Sequence, residues 1–158
     1  MANYPQLDNA RGVWNMKEVY DAVMGGYWPN ANSRAVFLAG FSSNVADYVT
    51  IASTGDATDF GDMTVARSGA GFSSFTRGIL GGGRTAPNNY NTIDYIEIQS
   101  TGNAADFGDL TTTIQTTSGG TSNSVRGLRG GGGGQANTID YVTMASVGNA
   151  TDFGDLTS

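Results

Sequence analysis

The chain has 158 residues with 24 glycines, 3 prolines, 14 acidic and 8 basic residues, a formal charge of 8 − 14 = −6, and neither histidine nor cysteine. That length fits one compact domain with a small appendage, and 39% hydrophobic residues suffice for a core, which argues against wholesale disorder. The two missing residue types remove disulfides, thiol nucleophiles, thiolate zinc sites and the commonest general base, while the negative charge opposes nucleic-acid backbones.

In chain order, residues 1–33 come first and differ from everything after them. They show no basic stretch leading into an apolar one, so no Sec-type export signal is expected, and no apolar run approaches the roughly 18 residues of a membrane span. Met16, Val19, Tyr20, Val23 and Met24 recur at helical spacing. Asn15 is a suitable N-cap with Glu18 three residues on, Trp14 and Val19 sit at the two positions of a hydrophobic staple, and Gly25-Gly26 ends the helix. A helix of about nine residues is marginal in isolation and must dock on something. Trp14, Val19, Tyr20, Val23, Tyr27 and Trp28 are the expected docking residues, packing on the rest of the chain or on a neighbouring subunit.

Residues 34–158 are built on a repeat. Three segments align without gaps: DYVTIASTGDATDFGDMT (47–64), DYIEIQSTGNAADFGDLT (94–111) and DYVTMASVGNATDFGDLT (140–157). The Asp-Tyr pairs start at 47, 94 and 140, and ten of the 18 columns are identical, which chance does not produce. Upstream of each lies an Arg-led block: RAVFLAG from Arg34, RGILGGG from Arg77 and RGLRGGG from Arg126. The spacing predicts repeats over 34–76, 77–125 and 126–158. In the middle one, RGILGGG reads as a strand ending where backbone must turn or pack closely. Asn91–Ile98 alternates apolar and polar residues as a half-buried strand does, with an irregularity near Tyr95. Ser100–Asn103 reads as a turn, Asp106–Thr111 as a third short strand, and Thr112–Val125 as a fourth strand plus a loop. Tyr48, Tyr95, Tyr141, Phe60, Phe107 and Phe153 are the expected repeat core.

A glycine-ended strand followed by a strand bearing Asp-Tyr resembles the kelch repeat, with Phe60, Phe107 and Phe153 standing where the kelch tryptophan is missing. The string RG…GGG…NTIDYV…ASVGNATDFGDLT and the leader GVWNMKEVYDAVMGGYWP are similar to segments of virion and tail-fibre-like structural proteins of marine bacteriophages of the cyanophage type. The resemblance implies a mainly β fold of three kelch-like blades of about 46 residues, a partial or oligomer-completed β-propeller, behind a short helix. Self-closure as a three-fold β-prism or β-trefoil is the alternative fold. The phage resemblance also implies a virion protein, placed in a tail, fibre or capsid-surface appendage, and not an enzyme. Its partners would be itself, as a homo-oligomer, other virion proteins, and a host surface glycan or receptor. The competing readings are a secreted bacterial carbohydrate-binding or filament-forming module and a glycoside-active enzyme.

The recurring carboxylates are the residues that invite chemistry. Asp59 and Asp62, Asp106 and Asp109, and Asp152 and Asp155 sit three apart in each DFGD, which raises calcium, since Ca²⁺ takes clustered carboxylate and carbonyl oxygens. FG-GAP propeller repeats, which bind calcium, carry a similar corner. No D-x-D-x-D-G loop occurs, so the expectation is that these side chains cap turns, some of them pairing with Arg34, Arg77 or Arg126, and that no metal or other cofactor is held. A DFG without HRD is not a kinase site, and Gly130–Gly134 lacks the Lys-Ser/Thr of a phosphate loop. A glycosidase needs one asymmetric carboxylate pair, whereas these are copied threefold. Phe72, Phe75 and Tyr90 lack counterparts in the other repeats and are the candidate recognition-loop residues.

Overall fold

A computed structural model describes residues 15–17, 19–20, 34–40, 42–114, 118–133 and 137–157. The molecule is mainly β and is made of three antiparallel sheets, whose described strands close no barrel, as a β-trefoil would require. The first sheet contains β1 (Arg34–Gly40), β2 (Ser43–Thr50) and β3 (Thr58–Asp62). The second contains β4 (Ser68–Ser73), β5 (Arg77–Thr85), β6 (Asn88–Glu97) and β7 (Ala105–Ile114). The third contains β8 (Gly119–Ser122), β9 (Arg126–Gly130), β10 (Thr138–Thr143) and β11 (Thr151–Asp155). Each sheet is a meander in which every strand pairs with its sequence neighbours. Met16, Lys17, Val19 and Tyr20 have helical backbone, and the Val19 amide bonds the Asn15 carbonyl at 3.1 Å.

The sheets are phased one strand earlier than the sequence repeat suggests. Residues expected to close one repeat instead open the next sheet, because tight turns join them to the Arg-led strand. The Ser74 hydroxyl accepts the Thr76 and Arg77 amides at 3.3 and 3.1 Å. The Asn123 side chain accepts the Val125 and Arg126 amides at 2.8 and 2.7 Å. A short side chain bonding backbone two and three residues on is a turn-former, and Ser and Asn play that part interchangeably. The third sheet is therefore complete with four strands, and the first has three among the described residues.

A bulge recurs at one place in all three sheets. Pairing slips between Ala46 and Asp47, between Ile93 and Asp94, and between Ile139 and Asp140. The extra residue opposite each slip is the phenylalanine of DFGD. The irregularity near Tyr95 has a second cause: Ile93 and Asp94 are successive residues, on opposite faces of one strand, and both are 0% exposed. A strand buried on both faces cannot show clean alternation.

Burial occurs between sheets. Phe60 and Met63 of the first sheet pack with Leu80 and Ile96 of the second, joined by Ile98 and Ala104. Phe107, Leu110 and Ile93 of the second pack with Val142 and Met144 of the third, joined by Ala150. Each such side chain contributes about 1.5–3 kcal/mol when fully buried, so the repeats hold one another together. A single repeat could not bury its own faces.

Candidate functional site

The recurring residues converge on the two junctions between sheets. In each repeat an arginine, a tyrosine and a phenylalanine form one stack. The Arg34, Arg77 and Arg126 guanidiniums lie 4.7, 4.8 and 4.7 Å from the ring centres of Tyr48, Tyr95 and Tyr141. Those tyrosines meet Phe60, Phe107 and Phe153 edge-on at 6.0, 5.8 and 6.0 Å. The geometry follows from register: Ile79 lies opposite Tyr95 and Arg77 opposite Glu97, so Arg77 is diagonal to Tyr95 on the same face. These arginines therefore stack on rings instead of pairing with the repeated aspartates. Two of them also reach the next sheet, Arg34 Nη1 donating to the Ile98 carbonyl at 3.1 Å and Arg77 Nη1 to the Met144 carbonyl at 3.1 Å. Arg77 also holds Glu97 at 2.8 Å on the partly exposed side.

The DFGD strand of one sheet takes the Gly-Asn-Ala corner of the following one. At the first junction the Gly102 and Ala104 amides donate to the Phe60 and Asp62 carbonyls, each at 2.7 Å. The Asp62 amide donates to Asn103 Oδ1 at 3.0 Å. At the second, the Gly148 and Ala150 amides donate to the Phe107 and Asp109 carbonyls at 2.7 and 2.8 Å, and the Asp109 amide to Asn149 Oδ1 at 3.0 Å. The fit depends on glycine at the middle of DFGD. Gly61 and Gly108 have φ of +141° and +144°, and a Cβ there would lie 2.5 and 2.6 Å from backbone atoms of Gly102 and Gly148.

Each junction also carries a buried carboxylate, the aspartate of Asp-Tyr. Asp94 accepts the Thr64 hydroxyl at 2.7 Å across the first junction and is paired with Arg67 at 2.9 Å, both side chains fully buried. Arg67 further donates to the Gly82 carbonyl at 2.9 Å and to that of Thr92 at 3.2 Å. At the second junction Thr111 donates to Asp140 Oδ1 at 2.5 Å, but the cation comes from elsewhere, Arg129 of β9. Arg129 Nη2 stands 3.3 Å from Asp140 Oδ2 without hydrogen-bond alignment, and its Nη1 donates instead to the Gly131 carbonyl at 2.9 Å. Burial holds the Arg129 guanidinium below its ordinary pKa, with the Asp140 charge pulling the other way.

Three of the expected positions fall elsewhere than the sequence suggests. Phe60 and Phe107 are 2 and 3% exposed, whereas Phe153 is 53% exposed, because among the described residues no following corner packs against the third DFGD. Phe72 lies in strand β4 and is buried in the second junction, so it is a packing residue and not a loop residue. Tyr90 is half-buried within β6, paired with Gly83 and Ile114, and is likewise no loop residue. Phe75 sits in the β4–β5 turn at 65% exposure, beside a cavity of about 250 Å³ bordered by Ser73, Ser74, Asn123 and Ser124. Tyr48, Tyr95 and Tyr141 are half-buried in the stacks. Of the docking residues, Val19 is half-buried and Tyr20 is 62% exposed, while Trp14, Val23, Tyr27 and Trp28 lie outside the described residues.

Two of the six DFGD aspartates cap turns: Asp59 and Asp152 accept the Gly61 and Gly154 amides at 3.1 Å each. Among the described residues no group of three or more carboxylates is arranged to hold a metal ion. Sequence reasoning missed Arg67, which recurs in no other repeat, and the crossing roles of Thr64, Thr111, Asn103 and Asn149. The invariant threonine and the Asp/Asn column of the repeat were the available signals. No protein-family model matches the chain, and no curated protein matches it at a significant level. No helix among the described residues is long and apolar enough to cross a membrane.

Proposed function

We propose that the chain is a structural protein of a phage particle, a repeat-built block of a tail, fibre or capsid-surface appendage. The observation carrying this reading is that the same junction occurs twice with the same corner and threonine-to-aspartate bonds, which is how a scaffold is made by adding units. Antiparallel meanders packed face to face are the blades of a kelch-like propeller, and further blades from other copies complete the ring or extend the row. The repeated carboxylates serve turns, and the buried ones hold neighbouring sheets, so they work as structure and the protein is no enzyme. Its place is the virion, where Phe75 on the rigid β4–β5 turn is presented to a host surface glycan or receptor. The particle resemblance rests on the repeat string and the aromatic leader.

The test is direct. Purified particles from a culture producing the chain are analysed by mass spectrometry and by immunogold labelling. The chain is expected at stoichiometric abundance and at a symmetric location on the particle. Its presence only in particle-free medium or on bacterial surfaces would favour the secreted filament or carbohydrate-binding module instead.

A further inference from the structure

The two internal junctions are built from matching halves, and among the described residues the first and third sheets each carry one such half with nothing packed on it. At the third sheet, Phe153 and Leu156 are 53 and 45% exposed, where their counterparts Phe107 and Leu110 are 3 and 4% exposed. A Cβ on Gly154 would meet none of the described residues within 4 Å, although its φ of +138° is close to those of Gly61 and Gly108. The same face carries a cavity of about 370 Å³ bordered by Leu128, Ile139 and Leu156. Their counterparts Ile79, Ile93 and Leu110 enclose Val142 and Met144 at the second junction. At the first sheet, the residues equivalent to Val142 and Met144 are Val49 and Ile51, and Ile51 is 66% exposed where Met144 is 1%. Gly55, Asp56 and Ala57 repeat the Gly-Asn-Ala corner, all exposed.

We propose that the third sheet of one chain docks head to tail on the first sheet of a second copy, reproducing the internal junction. The Gly55 and Ala57 amides then donate to the Phe153 and Asp155 carbonyls, as Gly148 and Ala150 do to Phe107 and Asp109. The Asp155 amide donates to Asp56, which offers the oxygen that Asn103 and Asn149 use. The Thr157 hydroxyl reaches Asp47, as Thr64 reaches Asp94, and Arg126 reaches the Ile51 carbonyl, as Arg77 reaches that of Met144. Val49 and Ile51 fill the cavity beside Ile139 and Leu156. The occupant is a copy of this chain because its own first sheet supplies a Gly-Asp-Ala corner, a half-buried Val49 beside an exposed Ile51, and a half-buried Asp47 at the spacing the third sheet requires. The contact joins unlike surfaces, so every chain keeps a free half until a ring closes or a filament grows. This deepens the building-block reading and rests on it only for the role of the assembly.

The experiment uses two full-length variants, each altered at an exposed residue of one end: Leu156→Lys and Ile51→Lys. Circular dichroism checks that both keep the β signature. Each alone is expected to lose self-association by about thirtyfold or more, the effect of losing a central apolar anchor. Mixed one to one, the intact first sheet of Leu156→Lys and the intact third sheet of Ile51→Lys form a single good junction, giving a discrete heterodimer. Single-cysteine chains Asp56→Cys and Asp155→Cys, in this otherwise cysteine-free protein, should cross-link to each other faster than to themselves. The proposal is overturned if either lysine variant assembles like the parent, if the mixture stays monomeric, or if the cysteine chains pair without preference. A chain that assembles this way but is absent from particles defeats the virion role alone. A particle-borne chain that fails the mixing test defeats the junction alone.

Discussion

Replacing Gly108 by alanine should cost far more than the same change at Gly154, although both backbones are alike. Their φ values are +144° and +138°, so each alanine is strained by about 1–3 kcal/mol. At Gly108 the new Cβ also lies 2.6 Å from the Gly148 carbonyl group, which forces the second junction apart locally. Three hydrogen bonds are lost there, from Gly148 to Phe107, Ala150 to Asp109 and Asp109 to Asn149, with lengths of 2.7, 2.8 and 3.0 Å. At about 1 kcal/mol each, the junction adds roughly 3 kcal/mol to the strain that both variants share. In a chain of this size that difference corresponds to a gap of about 6–12 °C in Tm. Both variants are made in the Leu156→Lys background, so that the edge around Gly154 stays open, and are melted by circular dichroism. Equal losses at the two glycines would refute the argument that the crossing bonds hold the repeats together.

Removing Arg67 leaves the Asp94 carboxylate buried without its cation, so Arg67→Met should lose about 3–5 kcal/mol in urea unfolding. The double variant Arg67→Met, Asp94→Leu should recover most of that loss, and a double variant no better than the single would contradict the pairing. Phe75→Ala, at an exposed turn, should change stability by no more than about 0.5 kcal/mol while weakening adsorption to host cells. Unchanged adsorption would remove Phe75 from recognition. Chelation with EDTA should leave the melting temperature where it is, whereas a fall of several degrees would restore a role for calcium at the DFGD corners.

Much of the strand pattern is legible in the sequence because a period near 46 residues repeats both turn chemistry and apolar positions. Asn91–Ile98 and Asp106–Thr111 read as strands from one copy and are reinforced by the other two. The phase of the sheets is not legible, since it depends on Ser74 and Asn123, which do the same job with different side chains. Ser68–Ser73 also hides a strand: SGAGFS has no β-branched residue, so Phe72 passes for a loop aromatic until its burial shows otherwise. The arginines were legible as recurring but not as stacked, because the diagonal to tyrosine depends on register. Asp94 and Asp140 look identical in sequence, yet Arg67 neutralises one and Arg129 the other, and neither cation lies in a repeated column. Phe153 teaches the converse: an identical residue in an identical motif is core only where a further unit covers it.

The mass of the full chain in solution, followed by light scattering over a range of concentrations, shows whether the third sheet of one copy docks on the first sheet of another. Junctions that continue between copies predict multiples of 16.4 kDa that fall back to 16.4 kDa in the Leu156→Lys variant. A parent chain that stays at 16.4 kDa at every concentration would contradict that docking.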